Sequence, residues 1–250
     1  MATPLFNYVL RLADNALVLG HRLSEWCGHA PNIEIDLALA NMSLDLIGQA
    51  RNLYTYAGEV EGKGRSEDQL AYLRDVRDWR NVLLVERPIG DFAFTITRQF
   101  LYAAYARPYY EWLRGSNDAT LAAIAAKAEK ELAYHLRHSA EWVIRLGDGT
   151  DESHARMKEA LADLWPFTGE MFECSAEEQA LVDQGIACNP GFIKPVFDTA
   201  VDQVLAEATL SRPRDGWMQT GGLKGEHSEH LGHVLCDLQF MQRTYPNATW

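Results

Sequence analysis

IEIDLALANMSLDLIGQARNLYTY, the stretch from Ile33 to Tyr56, decides the fold of this sequence. It is rich in Leu and Ala and contains no Gly or Pro before Gly48, so it predicts a single helix of roughly 36 Å. That is about the length of a small helical bundle. Because apolar side chains occupy almost its whole circumference, we expect this helix at the centre of a helical domain.

Polar side chains interrupt the helix at regular spacing. Asn41, Asp45 and Gln49 follow one another at i, i+4 and i+8, with Asp36 about one turn earlier. A carboxylate in a buried helix costs several kcal/mol unless it is paired, hydrogen-bonded or bound to a metal. We therefore expect either a metal site or a hydrogen-bonded polar core formed by these four residues. Neighbouring helices offer the following partners for such a core: Arg11, Asp14, Asn15 and Arg98.

Three further long helices are predicted, from about Leu5 to Trp26, from Phe92 to Arg114 and from Asp118 to Leu146. Asn32, Asp91 and Asp118 are suitable N-cap residues, and Pro108 should kink the third long helix. Only the middle connection is long, which is the pattern of a four-helix bundle with a crossover, as in ferritin-like proteins.

The rest of the chain is also predicted to be helical. The segments are about Asp151–Trp165, Ala176–Gln184, Pro190–Thr209 and His227–Thr244, and the glycine-rich segment from Ser211 to Gly225 is irregular. The fold class is therefore all-α, a ferritin-like four-helix bundle with additional C-terminal helices. We interpret residues 1–250 as one domain, with a core of about 5–146 and an extension of about 151–250.

Composition excludes several classes of protein. The 250 residues have a formal net charge of −12, which argues against nucleic-acid partners and anionic membrane surfaces. No run of about 18 apolar residues predicts a membrane span. The four cysteines show no CxxC spacing, so free thiols in a reducing cytoplasm are expected.

A ferritin-like bundle calls for a search for di-iron ligands, which are a Glu on two helices and Glu-x-x-His on the other two. This sequence contains no Glu-x-x-His. Glu131 and His135 are four residues apart rather than three, and Gly48 occupies the position where Asp45 would need a histidine. We therefore predict no catalytic residues and no complete metal site, and treat Asp45, Glu131 and His135 as vestigial candidates. The alternative is a ferritin-like metalloenzyme with an atypical metal site around these three residues.

A second polar cluster lies in KGEHSEHLGH, residues 224–233. Its histidines at i, i+3 spacing allow a metal site, and its acidic residues are also typical of a helix start. A contact between subunits is the favoured interpretation, with these candidate residues: Lys224, Glu226, His227, Glu229 and His230.

Two stretches are recognisable, RLADNALVLGHRLSEWCGHAPNIEIDLALANMSLDLIGQARN at 11–52 and TGGLKGEHSEHLGHVLCDLQFMQRTYP at 220–246. They closely resemble the family of C subunits of bacterial phenylacetyl-CoA epoxidases. FTITRQF, KELAYHLRHS and RLGDGTDES match as well, so the resemblance extends over essentially the whole chain.

The resemblance implies a ferritin-like, non-catalytic structural subunit in aerobic phenylacetate degradation. In that family the di-iron centre lies in a related A subunit, which is catalytic and binds the CoA thioester, and the C subunit supports it. Small subunits, together with a reductase, complete an oxygenase that consumes O2 and NADPH to form the ring 1,2-epoxide. No cofactor is therefore expected in this chain, and no catalytic residue is transferred to it.

Overall fold

The computed structural model describes residues 3–246 and 248, and residues 1, 2, 247, 249 and 250 lie outside that range. The described residues form ten α-helices and no strand, which confirms the all-α prediction. The helices are α1 (Pro4–Ser24), α2 (Ile33–Glu61), α3 (Glu67–Tyr72), α4 (Leu83–Glu86), α5 (Phe92–Leu113), α6 (Ala119–Gly147), α7 (Asp151–Leu164), α8 (Ala176–Asp183), α9 (Pro190–Glu207) and α10 (Glu229–Thr244).

Side-chain caps begin the long helices where the sequence predicts them. The side chain of Asn32 accepts a hydrogen bond from the backbone N–H of Ile35, at 2.9 Å. Asp91 and Asp118 cap α5 and α6 in the same way, three residues before the donor. Each cap satisfies one of the backbone N–H groups that a helix start leaves without a partner.

The four long helices form an antiparallel bundle. Between α1 and α2, Gly20 lies level with Ser43 and Asp14 lies level with Tyr54, so the chain directions are opposite. The pairs α1/α5, α5/α6 and α2/α6 run antiparallel by the same criterion. The four-helix bundle of the predicted ferritin-like type is thereby closed around one apolar core.

Shorter elements surround the bundle. The crossover between α2 and α5 contains α3, a 3₁₀ turn at Val76–Asp78 and α4. The C-terminal helices pack outside, with α7 and α9 against α5 and α6, α8 against α1, and α10 against the crossover. The prediction that residues 1–250 form one domain stays a prediction, and its ends lie outside the described residues.

The structure corrects the predicted place of α2. Ile33, Leu37 and Leu44 have exposed fractions of 69%, 57% and 66%, so α2 is a wall of the bundle with an apolar outer face and not its buried centre. The helix also continues past Tyr56 to Glu61, where Gly62 ends it in the left-handed conformation at φ 68°.

Two other local predictions have mixed outcomes. The segment before α10 is irregular as predicted, apart from a 3₁₀ turn at Gly222–Lys224. The apolar pattern of the sequence did not predict α4, because four residues are too few to establish a helical period.

Among the described helices, none combines the length and the hydropathy needed to cross a lipid bilayer.

Candidate functional site

A polar seam joins α2 to α6 on one side of the bundle. Nε2 of His135 lies 3.1 Å from Oδ2 of Asp45, and the imidazole is fully buried while the Asp45 side chain is 35% exposed. One turn further along, Nε2 of Gln49 donates to Oε2 of Glu131 at 2.9 Å. The structure therefore brings the vestigial candidates Asp45, Glu131 and His135 to one seam.

The seam continues into the bundle. Nδ1 of His135 lies 3.4 Å from Nε2 of Gln99 on α5, and the Ser139 hydroxyl donates to the backbone carbonyl of His135. Oε1 of Gln99 is buried and has no hydrogen-bond partner among the described residues. A chain of carboxylate, imidazole and amide thus leads from the surface of α2 to the bundle interior.

The possible metal ligands of the seam contact other side chains of this chain. Both ring nitrogens of His135 lie at hydrogen-bonding distance from side chains, and Glu131 accepts from Gln49 and pairs with Lys127 at 3.5 Å. Within residues 3–246 and 248, no three His, Cys, Asp or Glu residues come together in an arrangement that could hold a metal ion. A dinuclear iron centre needs several bridging carboxylates, and this seam offers two that are already paired.

The predicted polar core is wrong for most of its members. Asn41 is exposed, and Asp36 lies half-buried at the helix start, where it accepts from the backbone N–H of Gly28 at 2.7 Å. Asp45 is also only half-buried, so Gln49 is the one buried member. The prediction of a buried polar core failed because Asn41 and Asp45 lie near the outward-facing edge of α2. The proposed partners bind elsewhere, and they are Arg11, Asp14, Asn15 and Arg98.

Asp14 on α1 lies in a cluster of buried polar contacts. Its carboxylate forms a two-point ion pair with Arg74, and it accepts from the Tyr54 hydroxyl at 2.6 Å and from the backbone N–H of Arg80 at 2.8 Å. Burial alone would lower the pKa of the Arg74 guanidinium, but the charge of Asp14, its hydrogen bond and the neighbouring groups together outweigh burial and raise that pKa. This cluster attaches the crossover to the bundle, and no local sequence motif indicates it, because Arg74 is 60 residues away.

A second buried carboxylate, Glu86, fixes the start of α10. It accepts from the backbone N–H of Ser228 at 2.7 Å and from Asn81, and Nδ1 of His227 lies 2.9 Å away. Nε2 of His227 donates to the carbonyl of Trp79 at 3.0 Å. Burial alone would lower the pKa of His227, but the hydrogen bond to Glu86 and its charge outweigh burial and raise it.

The residues predicted to contact a partner differ in their exposure to solvent. His227 was a predicted contact residue, and this is wrong because its side chain is fully buried against Glu86. Lys224, Glu226 and Glu229 are exposed, and His230 is half-buried. Those four residues stay candidates for a contact with another chain.

A third carboxylate, Glu170, was also missed. It is buried and accepts backbone hydrogen bonds from Leu83 at 2.7 Å, Gly221 at 2.8 Å and Leu223 at 3.2 Å. Burial raises its pKa, and the three N–H donors act in the opposite direction. Glu170 therefore holds the irregular segment before α10 against the start of α4.

The fold defines a helical bundle of the ferritin-like class, with the seam of Asp45, Gln49, Glu131 and His135 between α2 and α6. The family model described as "Phenylacetic acid catabolic protein" matches residues 1–250, so the chain belongs to this family. It is 50% identical over 243 residues to the C subunit of 1,2-phenylacetyl-CoA epoxidase from Escherichia coli (strain K12). That alignment covers 97% of this chain and 98% of the relative.

Proposed function

We propose that this chain is the non-catalytic structural subunit of a multicomponent 1,2-phenylacetyl-CoA epoxidase. It pairs with a di-iron catalytic subunit, the A subunit of the complex, and supports it in aerobic phenylacetate degradation. The similarity to the C subunit of such an epoxidase over nearly the full length of both chains supports the assignment. The structural observation with the greatest weight is the seam, where the ligand-type side chains of His135 and Glu131 contact Asp45 and Gln49 of α2.

The roles of the other components follow from this proposal. The di-iron cofactor belongs to the catalytic subunit, which binds the CoA thioester, and small subunits and a reductase complete the NADPH-dependent system. We also propose a cytoplasmic location, which agrees with four free cysteines. The surface formed by Lys224, Glu226, Glu229 and His230 remains a proposed contact with one of these components.

Reconstituted turnover tests the proposal. This chain and the catalytic subunit are assayed separately and together, each with the small subunits, reductase, NADPH, O2 and phenylacetyl-CoA. We expect epoxide from the mixture at a rate well above that of the catalytic subunit by itself, and none from this chain alone. Epoxide formed by this chain with reductase would contradict the proposal, as would an unchanged rate on adding it.

The contact at residues 224–230 has its own test. Glu226→Lys with Glu229→Lys should weaken co-purification with the other components if these carboxylates meet basic groups. Charge reversal at the exposed Glu159 of α7 is the matched control. Undiminished co-purification of the double variant would remove this surface from the proposal.

A further inference from the structure

The outer face of α2 is an apolar stripe that no described segment of this chain covers. Ile33, Leu37, Asn41, Leu44 and Gly48 recur at intervals of three or four residues, so they line one side of the helix over about 22 Å. We call these five residues the α2 stripe. Its three large side chains are more than half exposed, although every other Leu between residues 33 and 50 on this helix is fully buried.

Gly48 is the second, independent observation. A glycine inside a helix costs about 1 kcal/mol relative to alanine. A Cβ added at Gly48 would meet nothing within 4 Å. Packing against the described residues therefore does not require a glycine at this position. Gly20 on α1 is different, because a Cβ there would meet Ile47 and Leu46 at 3.2 and 3.3 Å. A glycine on the stripe that costs stability and admits close backbone approach indicates contact with another chain.

The charged residues beside the α2 stripe restrict the surface chemistry of a partner that can bind there. Between residues 33 and 50 the charged residues of α2 are Glu34, Asp36 and Asp45, all acidic. The next charged residue is Arg51, whose side chain is 73% exposed and pairs with Glu67 of α3 at 3.5 Å. Asp45 is half-exposed at the groove towards α6. A partner that complements this face presents an apolar helix ridge flanked by lysine or arginine.

We propose that the α2 stripe is the docking surface for the di-iron catalytic subunit. The contact is helix against helix, with a partner helix approaching closest at Gly48. This inference rests on the proposed function and states which surface of this chain contacts the catalytic subunit. A second copy of this chain fits less well, because a two-fold contact along α2 would bring carboxylates of the same helix together between two chains of net charge −12.

Substitution of Gly48 separates docking from folding, because the two effects have opposite signs. Gly48→Ala should raise the thermal midpoint of the isolated chain by about 2 °C, since it removes the glycine cost without a clash. The same variant should weaken binding to the catalytic subunit, and Gly48→Leu should weaken it at least about tenfold. Binding is measured by titration calorimetry with purified subunits.

Matched surface variants complete the experiment. Leu37→Arg and Leu44→Arg should each weaken binding at least about tenfold, as expected for apolar contacts in an interface centre. The control is Val196→Arg on α9, where the exposed fraction of 52% is close to that of Leu37 at 57%. The control should bind like wild type, and circular dichroism confirms that all variants are folded.

The outcomes distinguish the two proposals. Wild-type chain that does not bind the catalytic subunit would overturn the proposed function. Wild-type binding that all stripe variants retain would overturn the docking surface alone, as would an equal loss in Val196→Arg. Self-association of the wild-type chain that Leu37→Arg disperses, with binding to the catalytic subunit unchanged, would assign the stripe to a second copy and overturn the inference.

Discussion

Asp14 and Asp45 are aspartates on neighbouring helices of one bundle, and they have opposite surroundings. Asp14 is fully buried and accepts hydrogen bonds from Arg74, Tyr54 and a backbone N–H. Asp45 is half-exposed and, among the described residues, has one side-chain partner, the buried His135. Burial with several charge-assisted hydrogen bonds makes a carboxylate structural, whereas exposure with one partner leaves it available to another molecule.

The difference also describes the two sides of the bundle. The α1 side is covered by the crossover and α10, and its carboxylates Asp14, Glu86 and Glu170 each bind backbone groups of those segments. The outer side of α2 is not covered by any described segment. The buried carboxylates therefore hold this chain together, and the open face with Asp45 is where another chain can bind.

The largest effect is expected from Asp14→Ala. The substitution leaves the Arg74 guanidinium buried without its counter-ion, which costs about 3–5 kcal/mol of unfolding free energy. Urea denaturation followed by circular dichroism measures it. A loss below about 1 kcal/mol would show that the Asp14 cluster is not structural.

The second largest effect is expected from Glu170→Ala. It should lower the free energy of unfolding by about 3 kcal/mol, because three buried backbone N–H groups lose their common acceptor. The control is Glu173→Ala, because Glu173 lies nearby and is only partly buried. This control should lower the free energy of unfolding by less than about 1 kcal/mol. Faster proteolysis between residues 211 and 225 should accompany Glu170→Ala. Equal stability of the two variants would disprove the assigned role.

The His227–Glu86 pair should make stability depend on pH. The pKa of His227 is raised above its ordinary value of 6.5, so its contribution is complete below that pH and is lost as pH rises through the folded-state pKa. His227→Gln removes this contribution. The stability difference between wild type and variant should therefore shrink as the pH rises above 6.5. A difference that stays constant as the pH rises would contradict a protonated His227.

Asp45→Ala should have the smallest effect, at most about 1 kcal/mol, because water can reach the seam and replace one hydrogen bond to His135. The same denaturation experiment as for Asp14→Ala measures it. A loss comparable with that of Asp14→Ala would remove the distinction between the two carboxylates.

Local signals made the helices predictable. Asn32, Asp91 and Asp118 cap the long helices where the sequence placed them. Spacing also identified the seam, because Glu131 and His135 share one face of α6. The buried carboxylates could not be found in this way, since the partners of Asp14 and Glu86 are 60 and 141 residues away and depend on the path of the crossover.

Apolar periodicity identified α2 as a helix but gave the wrong surroundings. Leucines all round a helix predict burial, yet periodicity does not distinguish burial within the chain from burial against a partner. Ile33, Leu37 and Leu44 are exposed in this chain and form the face that we assign to a partner.

Iron binding by the isolated chain tests the central claim most directly. The purified chain is loaded with ferrous iron under anaerobic conditions, desalted and analysed for bound metal, beside Glu131→Ala and His135→Ala. We predict far less than one iron per chain and no difference between wild type and the two variants. Near-stoichiometric iron in the wild type that either substitution removes, with the fold retained, would contradict a non-catalytic structural subunit.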